Sequence, residues 1–136
     1  MSLFKIFDVS ASAISAQSQR LNVVASNLAN AESIAGPDGQ PYKARQVVFQ
    51  TQNMGTDPGV AGVRVAQVIQ DGTPARRIHD PSNPMADVDG MVTMPNVNPV
   101  EEMVNMISAS RSYQNNIEVM NTAKTLLMKT LQMGQG

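Results

Sequence analysis

The two ends of this 136-residue sequence constrain its fold more than any other feature. They are apolar in a repeating pattern and nearly free of helix breakers, since seven of the eight prolines and seven of the nine glycines lie between Gly36 and Asn96. Residues 3–31 and 99–133 therefore predict two extended helices, about 43 Å and about 52 Å long if continuous. The expected fold class is α+β, with the two terminal helices forming a coiled-coil-like pair and a small middle region that contains a β-hairpin.

Both predicted helices carry apolar side chains at heptad spacing. On the first helix, Phe7, Ile14, Leu21 and Leu28 recur every seven residues. Leu3, Ala11, Ser18 and Ala25 lie on the adjoining row, and the small residues among them would let a partner backbone come close. On the second helix the spacing alternates between three and four along Met103, Met106, Ser110, Tyr113, Ile117, Met120, Lys124, Leu127 and Leu131. This repeat predicts one seam on each helix, and it leaves open whether the partner belongs to the same chain or to another.

The second helix has a clear start signal. Asn98 is a suitable N-cap residue, Pro99 suits the first helical position, and Glu101 stands where the acid of a capping box would reach back. We therefore expect this helix to begin directly after Asn98.

The middle of the chain predicts a small body. Residues 42–50 and 60–70 are rich in valine and partly alternate, which predicts at least two strands. Residues 71–96 are dominated by Asp, Asn, Gly and Pro, so we expect an irregular or hairpin-like segment with turns at Asp71-Gly72 and Asp89-Gly90. We divide the chain into an N-terminal helix (1–35), a body (36–96) and a C-terminal helix (97–136).

The polar faces of both helices are poor in charge. Residues 3–31 contain three charged side chains and residues 99–133 contain six, whereas a free coiled coil carries many Glu and Lys residues on its outside. Serine and amide side chains stand there instead, including Asn22, Asn27 and Asn30, and they can be buried at modest cost when they find hydrogen bonds. Apolar residues such as Ile107 also extend beyond one seam. We therefore expect both helices to be surrounded by neighbouring chains.

Several function classes are disfavoured by composition. The net charge of −1 gives no long-range attraction to nucleic acid or to anionic membranes. The absence of cysteine excludes disulfides and thiolate metal sites. No stretch approaches the roughly 18 apolar residues of a membrane span, and the N-terminus does not resemble a cleavable secretory signal. We expect no nucleic-acid partner and no direct membrane insertion.

Catalytic signals are almost absent. The single histidine, His79, stands beside Asp80, and the pair could in principle act as a base and its orienting group. A surface turn is the simpler interpretation. There is no nucleophile elbow, phosphate loop or dinucleotide fingerprint, and the segment around Asp87 and Asp89 lacks the end ligands of a calcium loop. We expect no enzyme, and no catalytic, cofactor or metal site.

Two segments of the sequence resemble a known family. The run AQSQRLNVVASNLANA at 16–31 is similar to the N-terminal signature of bacterial flagellar rod and hook proteins. The runs MPNVN at 94–98, VEEMVNMISASRSYQ at 100–114 and NTAK at 121–124 resemble the proximal-rod members of that family more specifically. The resemblance extends over essentially the whole chain, with small departures in the body at Met91 and at Ser82-Asn83.

The resemblance implies a non-enzymatic structural subunit of the proximal rod of the flagellar basal body, which assembles helically and transmits torque through the periplasm. Its implied partners are copies of itself, other proximal and distal rod subunits, the rod-to-ring adaptor and the flagellar type III export apparatus, with no cofactor. The candidates for recognition by the export apparatus are Leu3, Phe4, Ile6 and Phe7. The alternative is a helical adaptor or chaperone of a secretion system, whose helix pair would grip a client helix.

The residues that we expect to pack between subunits combine the heptad positions with the low-charge polar faces. They are Leu3, Phe7, Ile14, Leu21, Asn22, Asn27, Leu28, Asn30, Met103, Met106, Ile107, Tyr113, Ile117, Met120, Leu127 and Leu131.

Overall fold

A computed structural model describes residues 3–135 and has helices at both ends of that range. The elements are, in chain order, α1 (Leu3–Ala29), β1 (Arg45–Asn53), β2 (Ala61–Gln70), β3 (Arg76–His79), β4 (Met91–Met94) and α2 (Pro99–Gly134). The predicted α+β fold is confirmed, because two long helices flank a middle region of small antiparallel strand pairs. α1 ends at Ala29, two residues before the predicted end, and a turn follows it.

The start of α2 agrees with its sequence signal. The Asn98 side-chain oxygen accepts the backbone N–H groups of Val100 at 3.1 Å and Glu101 at 3.3 Å, which have no partner inside the helix. Glu101 and Glu102 lie in the first turn, where the positive end of the helix dipole favours carboxylates. The cap and the proline at the first helical position therefore fix where the body ends and α2 begins.

The strands β1 and β2 form an antiparallel ribbon in which Arg45 pairs with Gln70 and Val47 with Val68. The pairing register shifts between Val48 and Phe49. Most residues of both strands are exposed, and a two-stranded ribbon is at best marginally stable by itself. The ribbon is held because one side of it packs on α1.

Gly62 lets β2 lie close against α1 at Ser12. A Cβ atom at this position would lie 2.6 Å from the Ser12 hydroxyl oxygen, so any other residue would push the ribbon away from the helix. The backbone N–H of Val63 donates to the same hydroxyl oxygen at 3.1 Å, and Ser12 donates in turn to the Val9 carbonyl at 2.6 Å. This chain of hydrogen bonds fixes the ribbon along the side of α1.

The strands β3 and β4 form a second antiparallel pair, from Arg76 opposite Met94 to His79 opposite Met91. The segment that joins them includes the predicted turn at Asp89-Gly90, and Gly90 has a φ of 76° that favours glycine. The Asp87 carboxylate accepts the N–H groups of Met91 at 2.9 Å and Asp89 at 3.0 Å, and it pairs with Arg77. These hydrogen bonds, that of Met91 foremost, hold the pKa of Asp87 below its ordinary value.

The buried apolar cluster that joins the body to the two helical segments is small. Ala44 of the body packs there with Ala31 and Val97, and Tyr42 packs against them. Asn96 joins three segments, because its side-chain oxygen accepts the Ala44 N–H at 2.8 Å while its amide group donates to the carbonyls of Asp71 and Thr73. Hydrogen bonds at such junctions complement the limited apolar burial that a body of this size can achieve.

Candidate assembly surface

α1 and α2 pack against each other in antiparallel orientation, and this is the most extensive contact between elements in residues 3–135. Near the end of α1, Arg20 Nη2 lies 3.5 Å from Asn105 Oδ1 near the start of α2. Near the start of α1, Leu3 and Ile6 line a groove together with Val119 and Leu126 of α2. The helix partner that the heptad pattern left open is therefore found within the same chain.

The seam on α2 differs from the predicted row at every second position. Met106, Tyr113, Met120 and Leu127 are half-buried as the heptad pattern implies. The most deeply buried α2 residues between them are Ala109 at 0% exposure and Ala123 at 3%, whereas the predicted row contained their neighbours Ser110 and Lys124. A row in which every second position moves by one residue keeps the alternating spacing of three and four, and it puts small side chains between the two helices.

That displacement leaves two residues of the predicted row, Met103 and Leu131, off the seam within the chain, where both are more than half exposed. Ile107, which was expected to lie beyond the seam, is also more than half exposed. Ile117 remains half-buried at the flank of the seam. The apolar side chains that leave the seam are thereby available to other chains.

α1 is covered on two sides, by α2 and by the β1–β2 ribbon. Its most deeply buried residues are accordingly Ser10, Ala16, Val24 and Asn27, which do not form a single heptad row. The predicted apolar positions of this helix are all half-buried, namely Leu3, Phe7, Ile14, Leu21 and Leu28. Heptad spacing alone does not reveal the second contact of α1, because a ribbon requires no helical repeat in its partner.

The start of α2 carries an exposed apolar surface that we name the α2 patch. It consists of Val100, Met103, Val104 and Ile107, with exposures of 70%, 54%, 61% and 55%. Their spacing of i, i+3, i+4 and i+7 places them on one face of the helix, opposite Ala109 and the α1 contact. Soluble monomers seldom expose such a cluster without a binding role.

The outer side of α1 carries an exposed surface of a different kind, which we name the α1 row. It consists of Ala11, Ser15, Ser18, Asn22, Ala25 and Ala29, all exposed. Their spacings alternate between four and three residues, so they form a continuous heptad row, and none of them is charged. The small residues that the sequence placed near the seam are thus found on the outside of the helix pair.

The end of α2 extends past the start of α1. α2 has 36 residues and α1 has 27, and the two run antiparallel from the body. The last turns of α2 therefore have no part of the described α1 beside them, and Met128, Leu131 and Met133 are all more than half exposed there. Phe4, near the same end of α1, is 67% exposed. This end of the molecule presents apolar side chains to its surroundings.

The three asparagines predicted for subunit packing occupy different environments. Asn27 is 1% exposed, accepts the Tyr42 hydroxyl at 2.8 Å and the Arg45 N–H at 2.9 Å, and donates to the Arg45 carbonyl at 2.8 Å. Asn30 donates to the Ser26 carbonyl at 2.9 Å. Asn22 is exposed in the α1 row. Asn27 thus connects α1 to β1 inside the chain, and among the three it is Asn22 that faces outward.

An open cavity of about 460 Å³ lies where α1, β1 and α2 meet. Two arginines, Arg20 and Arg45, line it together with Glu101 and Glu102. Glu102 is only 9% exposed, and its Oε2 atom has no hydrogen-bond partner within the described residues. The heptad pattern did not identify this cavity, because the predicted row on α2 passes through Met103 and not through its buried neighbour Glu102.

Potential catalytic and metal-binding groups remain dispersed. His79 is an exposed residue of β3, and residues 3–135 contain no cluster of three or more His, Cys, Asp or Glu side chains suited to hold a metal ion. Over the same residues, neither helix is long and apolar enough to cross a membrane.

Comparison with known proteins gives family-model matches at both ends of the chain and relatives that align with nearly its whole length. A family model described as "Flagella basal body rod protein" matches residues 7–32, and one described as "Flagellar basal body rod FlgEFG protein C-terminal" matches residues 88–133. The flagellar basal-body rod protein FlgC of Yersinia enterocolitica is 61% identical over 99% of this chain and 100% of its own length. Over the same shares of the two chains, FlgC proteins of Escherichia coli O157:H7 and Buchnera aphidicola from Acyrthosiphon pisum are 58% and 49% identical.

The chain belongs to the FlgC family of flagellar basal-body rod proteins. It is a structural subunit of the basal-body rod, and it assembles with other rod components. The two family-model matches contain the α1 row and the α2 patch, whereas the β1–β2 ribbon lies between them. In this FlgC-family chain, the segments that match the two rod family models are therefore the same segments that leave low-charge helix faces uncovered.

Proposed function

We propose that this chain is a non-enzymatic subunit of the proximal part of the rod, and that α1 and α2 pack against helices of neighbouring subunits in a helical assembly. The observation that carries the proposal is the pair of uncovered faces on the two helices, the α2 patch and the α1 row. Exposed apolar and uncharged helix faces favour association, because their burial releases water from apolar surface and leaves no charged side chain buried without a partner. In this assembly, rigidity against torque comes from many interlocked side chains.

We propose a separate structural role for the helical segments and for the body. Residues 1–35 and 97–136 together form the part that builds the tube, and residues 36–96 form an outer body. The antiparallel pairing of α1 with α2 supports the first assignment. The limited core of the body and the exposed β1–β2 ribbon support the second, since a body held by few apolar contacts is suited to gaining further contacts from its neighbours.

The proposed partners are copies of this chain, other proximal and distal rod subunits and the rod-to-ring adaptor. The proposed sites of packing are the exposed members of the predicted set, including Asn22, Met103, Ile107 and Leu131, together with the half-buried residues at the edges of the seam. Asn27 is left out because its hydrogen bonds lie within the chain.

Recognition by the flagellar type III export apparatus is proposed for Leu3, Phe4, Ile6 and Phe7. Phe4 supports this role because it is mostly exposed, so the fold alone gives little reason for an aromatic side chain there. Secretion of a variant with all four residues changed to alanine should fall severalfold in an export assay, compared with the unaltered chain. Normal secretion combined with failed rod assembly would assign these residues to packing alone.

A pair of matched substitutions tests the assembly role. Val104→Asp places a charge in the α2 patch, and Val88→Asp places the same charge at a fully exposed loop position away from both helices. In a strain that lacks its own copy of the gene, the Val104 variant should be folded and secreted but leave cells non-motile and without a complete rod in electron micrographs. The Val88 variant should restore motility. Full motility with Val104→Asp would contradict the proposal.

A further inference from the structure

We infer that the α2 patch of one copy of this chain packs onto the α1 row of a neighbouring copy. This contact rests on the proposed function, in which the helices pack against neighbouring subunits. It goes further by naming the two faces that meet and by assigning both of them to the same kind of chain.

The two faces are complementary in side-chain size. The α2 patch presents Val100, Met103, Val104 and Ile107, which are large enough to act as knobs. The α1 row presents alanines and serines for most of its length, so its surface is shallow and allows a second helix to approach closely. The patch is about 11 Å long and the row about 27 Å, at 1.5 Å per residue, so the row has room for the whole patch.

Neither face carries a charged side chain, so a contact between them leaves no charge buried without a partner. Burying a charged side chain without a partner costs several kcal/mol, whereas the hydroxyl and amide groups of the α1 row can hydrogen-bond to one another or to backbone. Beyond Ile107, the same face of α2 becomes polar and includes Arg111, Gln114 and Glu118. The apolar part of this face thus ends abruptly, as expected if a neighbour covers only the first turns of α2.

A contact between two different faces propagates from copy to copy. It is heterologous, so each copy offers a free patch at one side and a free row at the other, and the contact repeats along an open assembly. On α1, the row lies roughly 130° around the helix axis from Leu3, Ile6 and Arg20, which face α2. The direction in which the α1 row faces is therefore not opposite to the direction in which α1 faces α2. A neighbouring helix pair bound to the row is rotated relative to the first pair. Such a turn is what the curved wall of a rod requires.

Disulfide cross-linking tests the contact directly because the chain contains no cysteine. One copy carries Ile107→Cys and a second, differently tagged copy carries Ala11→Cys, Ser18→Cys or Ala25→Cys. The two are co-expressed in cells that lack the native chain, and purified basal bodies are oxidised. Val104→Cys serves as a second patch position in case Ile107→Cys disturbs the fold. Gln114→Cys is the matched control on the polar part of the same α2 face.

At least one mixed pair should give a disulfide-linked dimer that carries both tags, while each single variant alone and the Gln114→Cys control give none. The inference is overturned if both chains are present in the basal bodies but no mixed dimer forms with either patch position. It is also overturned if Ile107→Cys links to itself or to a different rod protein. Absence of both chains from the basal bodies would overturn the proposed function and, with it, this contact.

Discussion

At the scale of single residues, two of the buried polar side chains in residues 3–135, Asn27 and Glu102, differ in how well their hydrogen-bonding groups are satisfied. Asn27 satisfies its side-chain oxygen and amide group with Tyr42 and Arg45. Glu102 is also buried, yet one of its carboxylate oxygens has no hydrogen-bond partner in the described structure. A satisfied buried amide contributes to stability, whereas a buried charged oxygen without a donor opposes it. The two residues therefore predict opposite effects of substitution.

Replacing Asn27 with alanine should destabilise the isolated chain by about 2–4 kcal/mol, because it leaves the Arg45 N–H and carbonyl groups without their Asn27 partner and the Tyr42 hydroxyl with Ser26 alone. Asn22→Ala on the exposed side of the same helix should change the free energy of unfolding by less than about 0.5 kcal/mol. Urea unfolding followed by circular dichroism measures both. Equal effects of the two substitutions would show that the connection between α1 and β1 is not a main source of stability.

Replacing Glu102 with glutamine should stabilise the isolated chain by about 1 kcal/mol, because it lowers the desolvation cost of a side chain whose Oε2 atom is buried without a donor in the described structure. Glu101→Gln is the matched control, since both residues lie in the first turn of α2 and both lose the favourable interaction with the helix dipole. Thermal unfolding of the two variants should therefore give a higher midpoint for Glu102→Gln than for Glu101→Gln. The reverse order would mean that Glu102 has a favourable partner in solution.

At the scale of elements, the β3–β4 pair is the part of the body that depends most visibly on an ionised side chain. Asp87 accepts two backbone N–H groups and pairs with Arg77, so the segment between the strands is organised around one carboxylate. Because these interactions lower its pKa in the folded chain, their contribution is present above the ordinary pKa of Asp. It is lost as the pH falls through the lowered value.

An NMR titration should show this directly. The Met91 amide signal should stay constant from neutral pH to about pH 4 and then shift with an apparent pKa below the ordinary value of 3.8. Asp87→Asn should abolish that titration, whereas Asp89→Asn in the adjacent turn should leave it in place. A Met91 signal that titrates with a pKa above 3.8, or that titrates unchanged in Asp87→Asn, would contradict the prediction. Either result would show that the structure of this loop does not depend on the ionised Asp87 carboxylate.

The existence and type of the main elements were predictable from sequence because their signals are local. Asn98 and Pro99 marked the start of α2, and the valine-rich segments marked β1 and β2. The side of each helix that faces its partner was less predictable. On α2, a row through Ser110 and Lys124 and a row through Ala109 and Ala123 have the same heptad spacing. Only the burial of Ala109 and Ala123 in the structure decides between the two rows. The contact of α1 with the ribbon depends on residues distant in sequence, such as Ser12 and Gly62.

At the scale of the whole molecule, the chain is a helix pair with a lightly packed body at one side. The large side chains that a compact monomer would bury are in many places exposed, at the α2 patch, at the end of α2 and on the β1–β2 ribbon. Burial of apolar surface is the main driving force of association, so a chain that leaves this much of it uncovered is suited to a rod in which neighbours complete the packing. Its FlgC-family membership agrees with that physical character.

We expect neighbouring subunits to cover the outer faces of α1 and α2, and an electron cryomicroscopy map of the basal body that resolves side chains would show these contacts. In such a map, Met103, Val104 and Ile107 should lie within about 4.5 Å of apolar atoms of an adjacent chain, and Ser18 and Ala25 should face a neighbouring helix. A map in which either the α2 patch or the α1 row faces open solvent along the rod would contradict this expectation.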